Sequence, residues 1–137
     1  MAAAGIEIGA HTYTHADLGS VRDPDKMRYE VVAAGKDLED AVGQPVRYFA
    51  FPYGLHANLS SEAFLLAQRA GYDAACSAYG GYNFPGDDAF HIQRIPASND
   101  MIHLRNWLSV DPRKVRTPRF NYRPDLSNRL ANLKTGV

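Results

Sequence analysis

The sequence predicts an α/β fold in which parallel strands are covered by helices, and two observations carry the prediction. Short apolar runs alternate with segments of helical periodicity in the order strand, helix, strand, helix, strand. The two most distinctive motifs, HTYTH (residues 11–15) and FPYG (residues 51–54), both fall just past the carboxyl end of a strand. In folds of this class, active sites gather at those ends. A length of 137 residues suits one compact domain.

Residues 6–10 read as a short buried strand that runs into the loop HTYTHADLGSVRD. Asp23 and Pro24 look like an N-cap and a first-turn proline. Met27, Val31, Ala34, Leu38 and Val42 then recur at helical spacing, with Gly43 as the C-cap, so residues 24–42 are expected to form an amphipathic helix. Val46, Tyr48, Phe49 and Phe51 make a second strand, which Pro52 and Gly54 end in a turn. Ser60 or Asn58 caps a second helix that carries Ala63, Leu66, Ala67 and Ala70 on one face and stops at Gly71. YDAACSA is a third strand, GGYNFPGDD a loop, FHIQRIPA a fourth strand, and NDMIHLRNWLS a short helix. The tail from Asp111 has three prolines and little periodicity, so it is expected to be extended or partly disordered unless it docks on the body. The chain therefore divides into a body over 1–110 and a tail over 111–137.

Fifteen basic and fifteen acidic side chains cancel, which leaves no electrostatic footprint for nucleic acid. No apolar run approaches the roughly 18 to 20 residues of a membrane span. The single cysteine, Cys76, excludes an internal disulfide and reads as a small hydrophobe.

His11 and His15 stand four apart. If the segment turns helically, both imidazoles project from one face and can share a cation such as zinc, cobalt, nickel or iron. A bare pair of this kind also serves as polar loop residues that cap backbone groups. The zincin motif requires glutamate directly after the first histidine, and Thr12 occupies that place. Pro52 and Gly54 make a rigid turn that can aim a backbone N–H into a pocket, as an oxyanion hole requires, or that simply ends a strand.

Taken together, EIGAHTYTH, an intervening helix and RYFAFPYG resemble the second and third motifs of the polysaccharide deacetylases, the NodB-homology or carbohydrate esterase 4 group. FHIQRIPA resembles the strand that follows in many members, so the likeness covers roughly residues 5–97. The resemblance implies an incomplete (β/α) barrel. It also implies metal-dependent hydrolysis of N- or O-acetyl groups on a polysaccharide or oligosaccharide, and a divalent metal, usually zinc. His11 and His15 would be metal ligands, with Thr12 supporting their loop. The Tyr53 N–H would help hold the oxyanion, and Pro52, Tyr53 and Gly54 would wall the substrate groove.

Three departures qualify the expectation. The family's Asp-Asp motif, which supplies the general base and the third ligand, lies upstream of the histidines. Only ten residues precede His11, and the one acid among them, Glu7, sits within the strand. Ala50 stands where an arginine often holds the base, and Arg94 is the residue that could reach the same spot. His91 and His103 are candidates for the late histidine acid, although both also read as ordinary strand or helix residues. His56 reads as a groove or surface residue, and Asp87 and Asp88 as turn residues.

The chain thus reads as the carboxyl-terminal part of a deacetylase, inactive or weak alone because base and third ligand are lost together. The alternative is a non-catalytic relative that binds metal or glycan and pairs with another copy through open sheet edges. Localisation is an inference from the resemblance alone, which implies the cell envelope, periplasm or exterior.

Overall fold

Three parallel strands in chain order, β1 (Tyr48–Ala50), β2 (Ala74–Ser77) and β3 (His91–Gln93), form the sheet of a computed structural model that describes residues 4–95, 97 and 99–123. Phe49 pairs with Ala75, and Ala75 with His91. On the other side of β1, Ala10 makes a single parallel bridge to Phe49. Spatial order follows chain order throughout, as it does for successive staves of a (β/α) barrel.

The first helical segment comprises α1 (Pro24–Arg28), a π-helical stretch (Tyr29–Ala33) and α2 (Ala34–Val42). The Asp23 side chain accepts from the Asp25 and Lys26 N–H groups, and Gly43 closes the helix with φ 68°. Ser60 caps α3 (Ser61–Ala70), which Gly71 ends with φ 93°. These helices make the crossovers into β1 and β2 and cover the sheet. Asp100 caps α4 (Met101–Leu108). The parts of the fourth strand and the tail at Pro96 and 124–137 lie outside the described residues.

The expected strand over 6–10 shrinks to Ala10, whose N–H donates to Tyr48 O and whose carbonyl accepts from Ala50 N, both at 2.8 Å. A ladder forms only where both groups find partners, and residues 6–9 make none with β1. Ile6 accordingly is 51% exposed rather than buried.

The core lies between sheet and helices, built from Met27, Val31, Phe49, Phe51, Phe64 and Ala75. Phe64 is its hub. It lies 4.6 Å from Phe51 and stacks 4.5 Å from Tyr122 at 13°. The described part of the tail is therefore packed on the body. Arg119 fastens it to the His91 carbonyl and to Asp87, and the Tyr122 hydroxyl donates to Asp88. Asp87 and Asp88 also accept from the Phe84 and Phe90 N–H groups, so the pair is consumed in a turn and a latch. Burial pushes the Asp88 carboxyl up, but the Tyr122 and Phe90 donors outweigh it and hold it below the usual range.

The packing generates two predictions. A Cβ on Gly35 would stand 1.9 Å from the Tyr72 hydroxyl, which donates to the Val31 carbonyl in the π-helical stretch. Helix propensity favours Gly35→Ala by about 1 kcal/mol, but overpacking costs about 1 to 3 kcal/mol and the hydroxyl loses its seat. Gly35→Ala is therefore expected to destabilise the wild type in urea unfolding. In a Tyr72→Phe background the nearest clashing atom is gone but ring Cζ still stands 2.8 Å from the added Cβ, so the same change is expected to destabilise less than in the wild type.

His91 is fully buried against Phe64 and Ser77, with Arg119, Asp88 and His56 nearby. Burial first, and then the Arg119 charge, lower its pKa from 6.5 to about 4. Between those values the unfolded chain binds a proton that the folded chain excludes, so stability falls as pH drops through the window. From pH 7 to pH 5 the loss amounts to about 2 kcal/mol. In His91→Gln the fall in unfolding free energy over that interval should be smaller by this amount; equal falls in the two proteins would refute the assignment.

Candidate active site

Beyond Ala10 the chain leaves the sheet at the carboxyl end of β1, and there the histidine motif begins. His11 Nδ1 lies 2.8 Å from the Ala50 carbonyl oxygen. A carbonyl only accepts, so Nδ1 is the donor, which in the neutral ring leaves the lone pair on Nε2, the arrangement in which metal-binding imidazoles are commonly oriented. The two exposed imidazoles of His11 and His15 approach to 4.9 Å between ring centroids at 71°.

Left-handed residues, not a helical turn, bring them together. Thr12 has φ 59° and His15 φ 60°. For a β-branched residue such as Thr12 this conformation costs on the order of 1–3 kcal/mol and persists only when its surroundings over-determine it. The surroundings are explicit. Thr12 Oγ1 accepts from Ala16 N at 3.2 Å. The Tyr13 and Thr14 N–H groups both donate to Glu30 Oε2 at 2.9 Å, and the Thr14 hydroxyl donates to Glu30 Oε1 at 2.6 Å.

Glu30 is 1% exposed and belongs to the π-helical stretch, where an extra residue in the turn re-aims side chains. Burial acts against its charge, but the Thr14 and Tyr13 donors and the Lys26 charge prevail and hold the carboxyl below its ordinary range. It is the site residue that sequence reasoning missed. A charged residue on the apolar face, three after Met27 and four before Ala34, was the available signal.

The FPYG turn faces the histidines. The Tyr53 ring lies 5.1 Å from the His15 ring at 76°. Tyr53 has φ 59°, and Gly54 N donates back to Pro52 O at 2.6 Å, closing a tight γ-type turn. Gly54, φ 68°, docks on the end of β2: Ala78 N donates to its carbonyl at 2.8 Å, and a Cβ there would sit 2.6 Å from that nitrogen. Pro52 is buried beneath the turn, while the Tyr53 side chain is 60% exposed. Among the described residues nothing accepts from the Tyr53 N–H.

Arg94 donates from Nε to the Ser77 carbonyl at 2.9 Å and from Nη2 to the Phe51 carbonyl at 3.5 Å. It thus ties the ends of β1 and β2 beside the turn. Several other candidates stand apart. Glu7 lines a hollow with Gln44, Pro45 and Arg47 at the amino end of β1, opposite the histidines. His91 is buried in the core, and His56 packs 4.1 Å from Tyr79 with Nε2 on the Pro118 carbonyl. His103 lies on α4 near Trp107. Cys76 is half-buried, and burial pushes its thiol up, as expected of a packing residue. Among the described residues no group of three or more His, Cys, Asp or Glu side chains gathers as a metal site. The donor chemistry of His11 and His15 suits two ligands of a borderline cation.

Comparison with known proteins agrees with this fold. No curated protein matches the chain. Solved structures that share its fold include PplD, IcaB and BA0330. The deacetylase PplD of Streptococcus pyogenes, solved with acetate, is 22% identical, with TM-score 0.63 over 74% of this chain and 42% of its own. IcaB of Ammonifex degensii is 22% identical, with TM-score 0.59 over 77% and 48%. The Bacillus anthracis protein BA0330, described as a polysaccharide deacetylase, is 24% identical, with TM-score 0.57 over 69% and 29%. The chain thus spans less than half the length of each. The sequence model of the family described as polysaccharide deacetylase matches residues 1–75, more than half of the chain and both motifs of the site. The chain belongs to the polysaccharide deacetylase family.

Proposed function

We propose that this chain carries the histidine half of a metal-dependent hydrolase that removes N- or O-acetyl groups from a polysaccharide or oligosaccharide. The observation that carries the reading is the His11–His15 pair: two exposed imidazoles 4.9 Å apart, one held in the metal-binding tautomer by the Ala50 carbonyl. When bound, a divalent cation, zinc first, polarises an acetyl carbonyl and activates water. The described residues contribute two of its ligands, and the remaining ligand and the general base come from outside them.

The protein's own part is then positional. The Tyr53 N–H, unengaged among the described residues and held by a strained turn, donates to the oxyanion of the tetrahedral intermediate. Pro52, Tyr53 and Gly54 wall the groove in which the sugar lies. Arg94 keeps that wall in register with β2. An acetylated glycan substrate suits an enzyme of the cell envelope or exterior, and no helix among the described residues is long and apolar enough to cross a membrane. The open flank of the Ala10 segment also suits pairing with a second copy of the chain.

Zinc titration of the purified chain by calorimetry, beside His11→Ala, tests the reading. One-to-one binding that weakens at least about tenfold in the variant is the expected result. Acetate release from N-acetylglucosamine oligomers and acetylated xylan should be far below that of longer relatives. Binding unaffected by His11→Ala would overturn the metal assignment.

A further inference from the structure

We infer that Glu30 is the positioning residue of the histidine loop: its buried carboxylate clamps residues 13 and 14 and thereby sets how well His11 and His15 converge on one cation. Its effect on metal affinity rests on the reading above; its effect on loop geometry does not.

The clamp falls between the two left-handed residues, Thr12 and His15. Both amides between them, Tyr13 N and Thr14 N, end on one oxygen of Glu30, and the Thr14 hydroxyl ends on the other. Among the described residues no backbone–backbone hydrogen bond ties residues 12–15 to a strand or helix, and apart from the clamp the Tyr13 ring packs 4.3 Å from that of Tyr29. Without the carboxylate, two amides would lose their acceptor and the loop would relax toward ordinary φ values. His15 follows Thr14 directly, so relaxation separates the imidazoles, whereas His11 stays tied to Ala50. A buried acid is also a poor choice for packing alone, because an apolar side chain of similar size avoids the desolvation that Glu30 must offset.

The clamp works by direction and count of hydrogen bonds, which makes glutamine informative. In Glu30→Gln the side-chain amide oxygen can accept from both N–H groups while its NH₂ donates to the Thr14 hydroxyl. Glu30→Gln is therefore expected to keep the loop, and Glu30→Ala to lose it.

The experiment uses the whole chain, by NMR without metal and then by titration with Zn²⁺ alone. In the wild type, the His11 and His15 ring protons should show a mutual NOE, and the Tyr13 and Thr14 amides should exchange slowly. Glu30→Ala should lose both signals and keep the Phe64–Tyr122 ring contact, which reports the core. Zinc affinity should fall roughly ten- to a hundredfold, as for other groups that orient metal ligands, and Glu30→Gln should restore it to within about threefold. If Glu30→Ala loses the core contact as well, Thr14→Val decides the matter. It removes one bond at an exposed residue and should weaken the ring NOE and lower zinc affinity about threefold or more. An intact ring NOE in folded Glu30→Ala, a Glu30→Gln as impaired as alanine, or a silent Thr14→Val where alanine fails to fold would each refute the proposal. An Ala-sensitive ring NOE in a chain that binds no zinc would refute the metal reading and leave the clamp standing.

Discussion

Glu30 takes three hydrogen bonds from a loop that belongs to no ladder, and the placement of His15 relative to His11 rests on that contact. Helix, loop and strand meet there. The π-helical stretch presents the carboxylate, the loop presents its amides, and Ala50 at the end of β1 fixes the first imidazole. The irregular turn has its own support, because the Tyr72 hydroxyl donates to the Val31 carbonyl and the absence of a side chain at Gly35 makes room for it. A packing detail elsewhere on the helix thus reaches the site through one helical turn.

The second half of the site depends on the sheet. Parallel strands in chain order bring the ends of β1 and β2 together, and the chain leaves each end by a bend rather than a helix. Arg94 bonds to a carbonyl at each end, and Gly54 seats the PYG turn on Ala78. The positions of the Tyr53 amide and of the Tyr53 ring, beside His15, are consequences of that seat.

Much of this was legible in the residues, and the part that was not has a common cause. The helix over 24–42, its caps at Asp23 and Gly43, and the Ser60 cap and Gly71 stop of α3 are local signals, and all are found in the structure. HTYTH and FPYG pointed to one site because both follow strand ends, and their rings do meet. What escaped depends on contacts distant in sequence. Residues 6–9 look like a strand by composition, but only Ala10 finds partners. Thr12 and His15 adopt left-handed backbone that their side chains disfavour, and Glu30, far along the chain, is what holds them there. The tail's fit against Phe64 cannot be read from its own prolines and arginines.

The strap formed by residues 118–122 has a consequence for the order in which the molecule is made. Its bonds join residues separated by 41 positions, Tyr79 to Phe120, and by 62, His56 to Pro118. Closing such loops is slow relative to forming α3 or the β1–β2 pair, and during synthesis it must wait until the chain beyond Tyr122 has emerged. Until then Phe64 lacks the ring that covers it, and the nascent body exposes its aromatic hub. Contacts that form late in folding are weakly represented in its transition state. They govern how fast the finished protein comes apart more than how fast it assembles. Substitutions at Tyr122 or Arg119 are therefore expected to speed unfolding more than they slow folding.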